Sequence, residues 1–207
     1  MSRSAISDRR PPQKGDQRRS ALLQSLDHHL QEGSLDSINI ADISRRAGVT
    51  RSAFYFYFEN KASAVAALME EMYDESFAAA DLLRGDGSPT ANIEAMIRAL
   101  FSTWDKHEHL FRASLEARST SVTVRELWDA DRESFVPVVA AMIQAERATG
   151  TAPPGVDASA LAGVLLELND RMLERLALGG PLDREQLVEA VVAIWLHTIY
   201  GKVEAQR

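Results

Sequence analysis

Apolar residues recur every three to four positions along most of this chain, and Gly, Pro, Asn and Asp punctuate the recurrence at intervals of one helix length. Leu22, Leu23, Leu26 and Leu30 set the period, and Gly33 ends that stretch. Asn39 is placed to cap a short helix carrying Ile40, Ile43 and Ala47, Gly48 breaks it, and Thr50 caps a second one running to about Phe58. Asn60 opens a long fourth helix that closes near Gly85-Asp86-Gly87. Further helical spans are predicted at about 90–106, 108–118, 121–149, 157–178 and 183–201, with Pro153-Pro154-Gly155 and Gly179-Gly180-Pro181 as breaks and Asp183 with Gln186 as a capping box. No β-branched alternating run competes with this pattern. The predicted fold is all-α. A polar tail over 1–15 cannot bury enough surface to order, Asp16 caps the first helix, a small three-helix unit occupies 16–60, and a larger helical body occupies 61–207.

Charge separates these parts. The net charge of -7 argues against a polyanionic partner for the chain as a whole. Residues 1–61, however, hold 10 basic and 7 acidic side chains, and the remainder 13 and 23. A mildly basic head on an acidic body suits one end that meets nucleic acid and another that does not. There is no cysteine, which excludes disulfides, thiolate metal sites and a cysteine nucleophile. No apolar run reaches the roughly 18–20 residues of a membrane span, and the polar N-terminus lacks the apolar core of a secretory signal, so a cytoplasmic protein with no membrane partner is expected.

Residues 40–61 carry the strongest local signal. Two short helices joined by a tight glycine turn form a helix-turn-helix. Such a unit needs a small residue where its helices approach (Ala47), a residue free to take positive φ (Gly48) and an apolar residue to pin the turn to the core (Val49). The second helix must then present short polar side chains to the major groove, which Thr50, Arg51 and Ser52 supply. Phe54 and Phe58 share the buried face, while Tyr55 and Tyr57 can reach phosphates or thymine methyls. Arg45 and Lys61 add phosphate contacts; for Arg45 and Arg46 a merely solvated face fits the sequence equally well.

The run Thr50 to Phe58 followed by Asn60-Lys61, with Ile43, Ala47, Gly48 and Val49 upstream, resembles the recognition-helix signature of the TetR family of repressors. FYFYF at 54–58, ARSTSV at 117–122, ELW at 126–128, AER at 145–147 and IWLHTIYG at 194–201 are similar to its EthR-like mycobacterial branch. The resemblance implies a homodimer that joins through the helices at about 157–178 and 183–201, binds double-stranded operator DNA, and is released by a small hydrophobic effector. It also implies an elongated aromatic channel in the body. Phe101, Trp104, Phe111, Trp128, Phe135, Met142, Met172 and Trp195 read as core on spacing alone, and the resemblance assigns them to that channel. Asn169, a polar residue at the apolar run Val164-Leu165-Leu166-Glu167-Leu168, is the expected hydrogen-bonding group, with a surface place on the Glu167/Asp170 face as the other reading. In the last helix the stripe Val188, Val191, Val192, Trp195 and Ile199 divides between core and partner in a way the sequence leaves open.

Other classes have less support. His107 and His109 are spaced two apart and fall on different helix faces, so no metal site is expected, nor any cofactor. Asp129, Asp131 and Glu133 read as a solvated face. No P-loop, GxGxxG or GxSxG occurs, and no catalytic constellation assembles. A helical ligand- or lipid-binding protein with a purely structural head is the alternative, and it requires nothing at Thr50-Arg51-Ser52.

Overall fold

The computed structural model describes residues 14–201. Nine α-helices follow one another among these residues: α1 (Lys14–Glu32), α2 (Ile40–Arg46), α3 (Arg51–Tyr57), α4 (Lys61–Asp81, extended by a 3₁₀ turn Leu82–Arg84), α5 (Pro89–Lys106), α6 (Glu108–Thr120), α7 (Val122–Ala148), α8 (Ala158–Ala177) and α9 (Arg184–Tyr200). The all-α expectation holds, and each break expected from Gly, Pro or a cap falls within a few residues of an observed helix end. The tail expected over 1–15 lies outside the described residues except for its last two, which are helical. Asp16 sits inside the first turn of α1, where its charge suits the helix dipole, and it is not the cap.

The caps follow local chemistry. Asn39 accepts from Ala41 N–H, Thr50 from Ala53 N–H, and Asn60 and Asp183 each complete a reciprocal box with the residue three ahead, Ser63 and Gln186. The turn between α2 and α3 is a Schellman closure: Val49 N–H donates to Ser44 O at 3.0 Å and Gly48 N–H to Arg45 O at 3.1 Å, with Gly48 at φ 67°. The buried Ser25 hydroxyl donates to Ile43 O at 2.9 Å and so joins α1 to α2.

Leu22, Leu26 and Leu30 of α1, Ile43 of α2, and Phe54 and Phe58 around α3 form the core of the head, closed by Val65 and Met69 of α4. That core continues without a gap into the body. There α7 lies along α8 and α5 along α9, while α4 packs on α1, α5, α6 and α7 and so belongs to both halves. Head and body are also tied by polar contacts. His109 Nε2 lies 2.8 Å from Asp27 Oδ1, and Asp36 N–H donates to Glu116 Oε2 at 3.1 Å. No described helix is long and apolar enough to cross a membrane.

A Cβ added at Gly48 meets nothing within 4 Å, so replacement there costs only backbone conformation. Gly48→Ala is expected to lose about 1–2 kcal/mol, a Tm fall of about 2–8 °C for a chain of this size. Gly48→Asn is expected to lose less, because Asn tolerates the left-handed region. Equal losses in thermal melts of the two variants would contradict this origin.

Candidate nucleic-acid interface and interior cavity

The α3 helix is fixed on one side and free on the other. Phe54 and Phe58 are buried, their rings 5.6 Å apart, and the Arg19 guanidinium lies 5.6 Å from the Phe58 ring centroid. Thr50, Arg51, Ser52, Tyr55 and Phe56 face outward. Arg51 Nη2 donates to the Tyr55 hydroxyl at 3.2 Å with its guanidinium 5.7 Å from the Tyr55 ring, so the two side chains form one exposed unit. Phe56 is 81% exposed, a whole apolar ring held in water. Sequence reasoning passed over it, although a residue two positions from both Phe54 and Phe58 lies about 200° round the helix from each and must point away from the core.

Three other expected contacts stand differently. Tyr57 is half-buried against the head core, with its hydroxyl near Gly15 at the start of α1. Arg45 is exposed but ion-paired to Asp42 one turn earlier. Lys61 is the correction. Its ammonium donates to the carbonyls of Leu35 at 2.5 Å, Ile38 at 2.8 Å and Asp36 at 3.2 Å. All three N–H bonds are thereby occupied, and the residue braces the α1–α2 connection instead of reaching outward.

Between α4, α5, α7 and α8 the body holds a mainly apolar cavity with about 70 Å³ of interior space open to a water-sized sphere. Trp104, Trp128, Phe135 and Asn169 line it as expected. Phe101, Phe111, Met142, Met172 and Trp195 do not. Phe101, Phe111 and Trp195 are fully buried packing residues, and Met142 and Met172 pack partly buried against the core. Two of these support the wall from behind. Phe111 packs on Trp104 with centroids 4.0 Å apart, and Trp195 Nε1 donates to Asn169 Oδ1 at 3.1 Å.

Asn169 is 2% exposed, and its apolar neighbours placed it correctly as an interior group. An indole N–H only donates, so the Asn169 amide oxygen must face Trp195 and its NH2 is left over. That Nδ2 is buried without a hydrogen-bond partner, as is Trp104 Nε1.

The cavity wall also holds polar and charged groups, among them Asp131, which its sequence neighbours put in solvent. Tyr73, Asp131, Arg132 and Asp170 are part of its wall. Trp128 Nε1 donates to Asp170 Oδ2 at 3.0 Å, and Arg132 lies within 3.1–3.8 Å of Glu167, Asp129, Asp170 and Glu133. Burial raises the Asp170 carboxyl despite the Trp128 and Arg132 contacts. Burial, and then the Asp170 charge, push Asp131 up to about 6. Burial likewise pushes the Tyr73 hydroxyl well above its usual 10. Among the described residues no group of three or more His, Asp, Glu or Cys is arranged to hold a metal.

Residues 28–68 match the family described as bacterial regulatory proteins, tetR family, and residues 93–201 match the C-terminal domain of the transcriptional regulator EthR. The chain is 31% identical over 193 residues to the HTH-type transcriptional regulator EthR of Mycobacterium tuberculosis, covering 91% of this chain and 89% of that protein. It is 30% identical over 191 residues to EthR of Mycolicibacterium smegmatis, covering 90% and 88%. Among solved structures it resembles a TetR/AcrR-family regulator from Thermobifida fusca, with a TM-score of 0.67 at 19% identity covering 92% of this chain and 99% of that one. A SmeT–triclosan complex is similar, with a TM-score of 0.67 at 18% identity over the same shares. At such identities these two establish the fold alone.

Asp131 gives a signed expectation. Its carboxyl is raised from 3.8 to about 6, so the folded chain favours the protonated form. The stability this provides is complete below about pH 4 and is lost as pH rises through 6. Asp131→Asn is therefore expected to stabilise the protein near neutral pH, by about 1 kcal/mol once the half-exposed position is discounted. That corresponds to a Tm gain of about 2–4 °C, vanishing near pH 4. A gain independent of pH would show that another cause is at work.

Proposed function

The chain belongs to the TetR family of bacterial transcriptional regulators, with a C-terminal domain of the EthR type, and from that premise we propose that it is a homodimeric repressor released from its operator by a small, largely apolar ligand held in the body cavity. It is a DNA-binding regulator by descent. The observation that carries the reading of its contacts is the division of α3, whose buried Phe54 and Phe58 hold Thr50, Arg51, Ser52, Tyr55 and Phe56 in one outward array. Arg51 with Tyr55 can address base edges and phosphate, Ser52 and Thr50 reach phosphate, and the Phe56 ring suits thymine methyls. A carrier with a purely structural head would have no use for an exposed phenylalanine at that place.

The division into a reading head over 16–60 and a sensing body over 61–207 follows the same logic, with α4 entering both. Dimerisation is assigned to α8 and α9. Their outward faces carry Val164, 67% exposed, and Ile194, 43% exposed, flanked by Ala160, Gly163, Ala190 and Ala193. Small residues beside a few apolar ones let two helix pairs approach closely. The Val188, Val191, Trp195 and Ile199 stripe is buried in its own chain, so in this reading it builds the core and not the partner surface. Two heads would meet successive major grooves about 34–36 Å apart. The cytoplasm, where the chromosome lies, is the corresponding compartment.

Tyr55→Ala is expected to lower affinity for DNA from upstream of the gene at least tenfold in band-shift titrations, with circular dichroism unchanged. Tyr57→Ala is expected to lower the melting temperature as well, because that ring packs on the head core. Absence of any salt-sensitive, sequence-preferring complex, both on this DNA and after selection from random sequence, would remove the repressor reading. Ile194→Arg is expected to give monomers in light scattering and to weaken operator binding. Persistent dimers would displace the interface from α8 and α9.

A further inference from the structure

We propose that the body cavity selects a lipophilic cation, an amphipathic amine or quaternary ammonium whose charge sits beside Asp131 and whose apolar part lies among Trp104, Trp128 and Phe135. The proposal rests on the reading of this cavity as the effector site and adds the chemical class of its occupant.

Three observations converge on it. First, the Asp131 carboxylate has no hydrogen-bond or ion-pair partner among the described residues (its backbone carbonyl accepts from the Ser134 hydroxyl), although it lines a cavity that is otherwise mainly apolar. The charged groups around it do not neutralise it. Asp170 and Arg132 share the wall, but Arg132 is already divided between Asp170, Asp129, Glu133 and Glu167, so carboxylates outnumber cations there. Arg118, over the Trp128 face at 4.9 Å, is itself paired to Glu174. A carboxylate left unpaired in a partly desolvated site is costly, and a ligand cation offsets that cost where a neutral ligand cannot.

Second, Asp131 stands where a cation would enter. Together with Tyr73 and Trp128 it lines both the cavity and an outer groove between α4 and α7 that reaches the surface near Ser63, Leu127 and Ser134. Aromatic faces stand beside it. Trp104 and Trp128 are stacked at 5.9 Å, and Phe135 is stacked on Phe77 at 4.2 Å. Ring faces with an adjacent carboxylate attract a poorly hydrated cation more than an alcohol of the same shape.

Third, the buried Asn169 Nδ2, unpartnered and on the cavity wall, independently marks the cavity as built for a ligand. It offers one donor to an acceptor on the ligand body, as does Trp104 Nε1. The recognised molecule is therefore a cation at one end with an ether, carbonyl or hydroxyl oxygen further along an apolar frame.

The test uses the full-length protein and three probes that share one body: phenylhexylamine, phenylhexanol and phenylhexanoate. Binding is read at neutral pH from quenching of tryptophan fluorescence, since two of the three tryptophans line the cavity. Displacement of operator DNA is measured in parallel. The amine is expected to bind at least tenfold more tightly than the alcohol or the carboxylate. Asp131→Asn, checked for fold by circular dichroism, is expected to erase that preference while leaving the alcohol's affinity unchanged. Equal binding of amine and alcohol would overturn the proposal and leave a neutral effector site standing. Preference for the carboxylate would overturn it in favour of Arg132 as the ligand's partner. An amine preference that survives in Asp131→Asn would overturn the role of Asp131. Failure of all three probes to bind would overturn the proposal and the effector reading of the cavity together.

Discussion

The ammonium of Lys61 gathers the carbonyls of Leu35, Asp36 and Ile38 onto the first residue of α4. The connection between α1 and α2 has no helix of its own to satisfy these acceptors; Lys61 reaches all three, and the Ile38 N–H adds a bond to the Leu35 carbonyl. Asn60 and Ser63 close the same helix end reciprocally. The start of α4 is thus bound to the frame that carries α2 and α3, while further along the same helix Tyr73, Ala79 and Ala80 form cavity wall. On the proposed reading, a helix braced at one end to the head and exposed at the other to the cavity would carry a displacement as a lever, because packed interiors switch between discrete arrangements instead of deforming continuously.

Local rules were legible in the sequence, and relations between distant segments were not. Asn39, Thr50, Asn60 and Asp183 could be read as caps because a cap satisfies an amide two or three residues ahead, a distance that pattern alone spans. Gly48 could be read because a helix end closed by a residue at positive φ favours glycine there. Lys61 was misread for the opposite reason: its acceptors lie 23–26 residues upstream, and nothing in its neighbourhood announces them. Among the aromatics, spacing could say that Phe101, Trp104, Phe111 and Trp128 face inward. Which of them end at a cavity and which at another side chain depends on the axial offset of α5, α6 and α7, and that is set by packing. Asp131 shows the same limit in reverse. Flanked by Asp129 and Glu133 it reads as solvent-facing, yet its position on a long helix turns it inward.

The cavity pairs poorly hydrated carboxylates with aromatic faces, which sets stability against sensing. A hydrophobic replacement of the Asp131, Arg132 and Asp170 group would be expected to hold the body more firmly, since desolvated ions seldom repay their transfer from water. Their presence is understandable if an occupant completes them. Pro137 acts in the same direction. It lies inside α7, removes the N–H that would bond the Glu133 carbonyl, and falls between Phe135 and Val139 on the wall. Proline removes one backbone tie from the α7 wall, whereas the bond from Trp195 to Asn169 adds one to the α8 wall.

From that asymmetry follows a direction for the coupling. An occupant that draws α7 toward its charge works against α4, because α4 packs on both α7 and α6. The α6 helix carries His109 and Glu116, which hold Asp27 and the Asp36 amide of the head. Two contact paths therefore join the cavity wall to the head, one along α4 to Lys61 and one through α6 to α1, and they meet at the α1–α2 connection. In the proposed dimer a ligand would bias the spacing of the two heads only by the difference between its affinities for the two arrangements. An ionic contact made in one arrangement and broken in the other supplies a larger difference than dispersion with a wall that persists in both. On the proposed reading, the unpaired carboxylate on α7 would have more leverage over operator affinity than the larger aromatic surface around it.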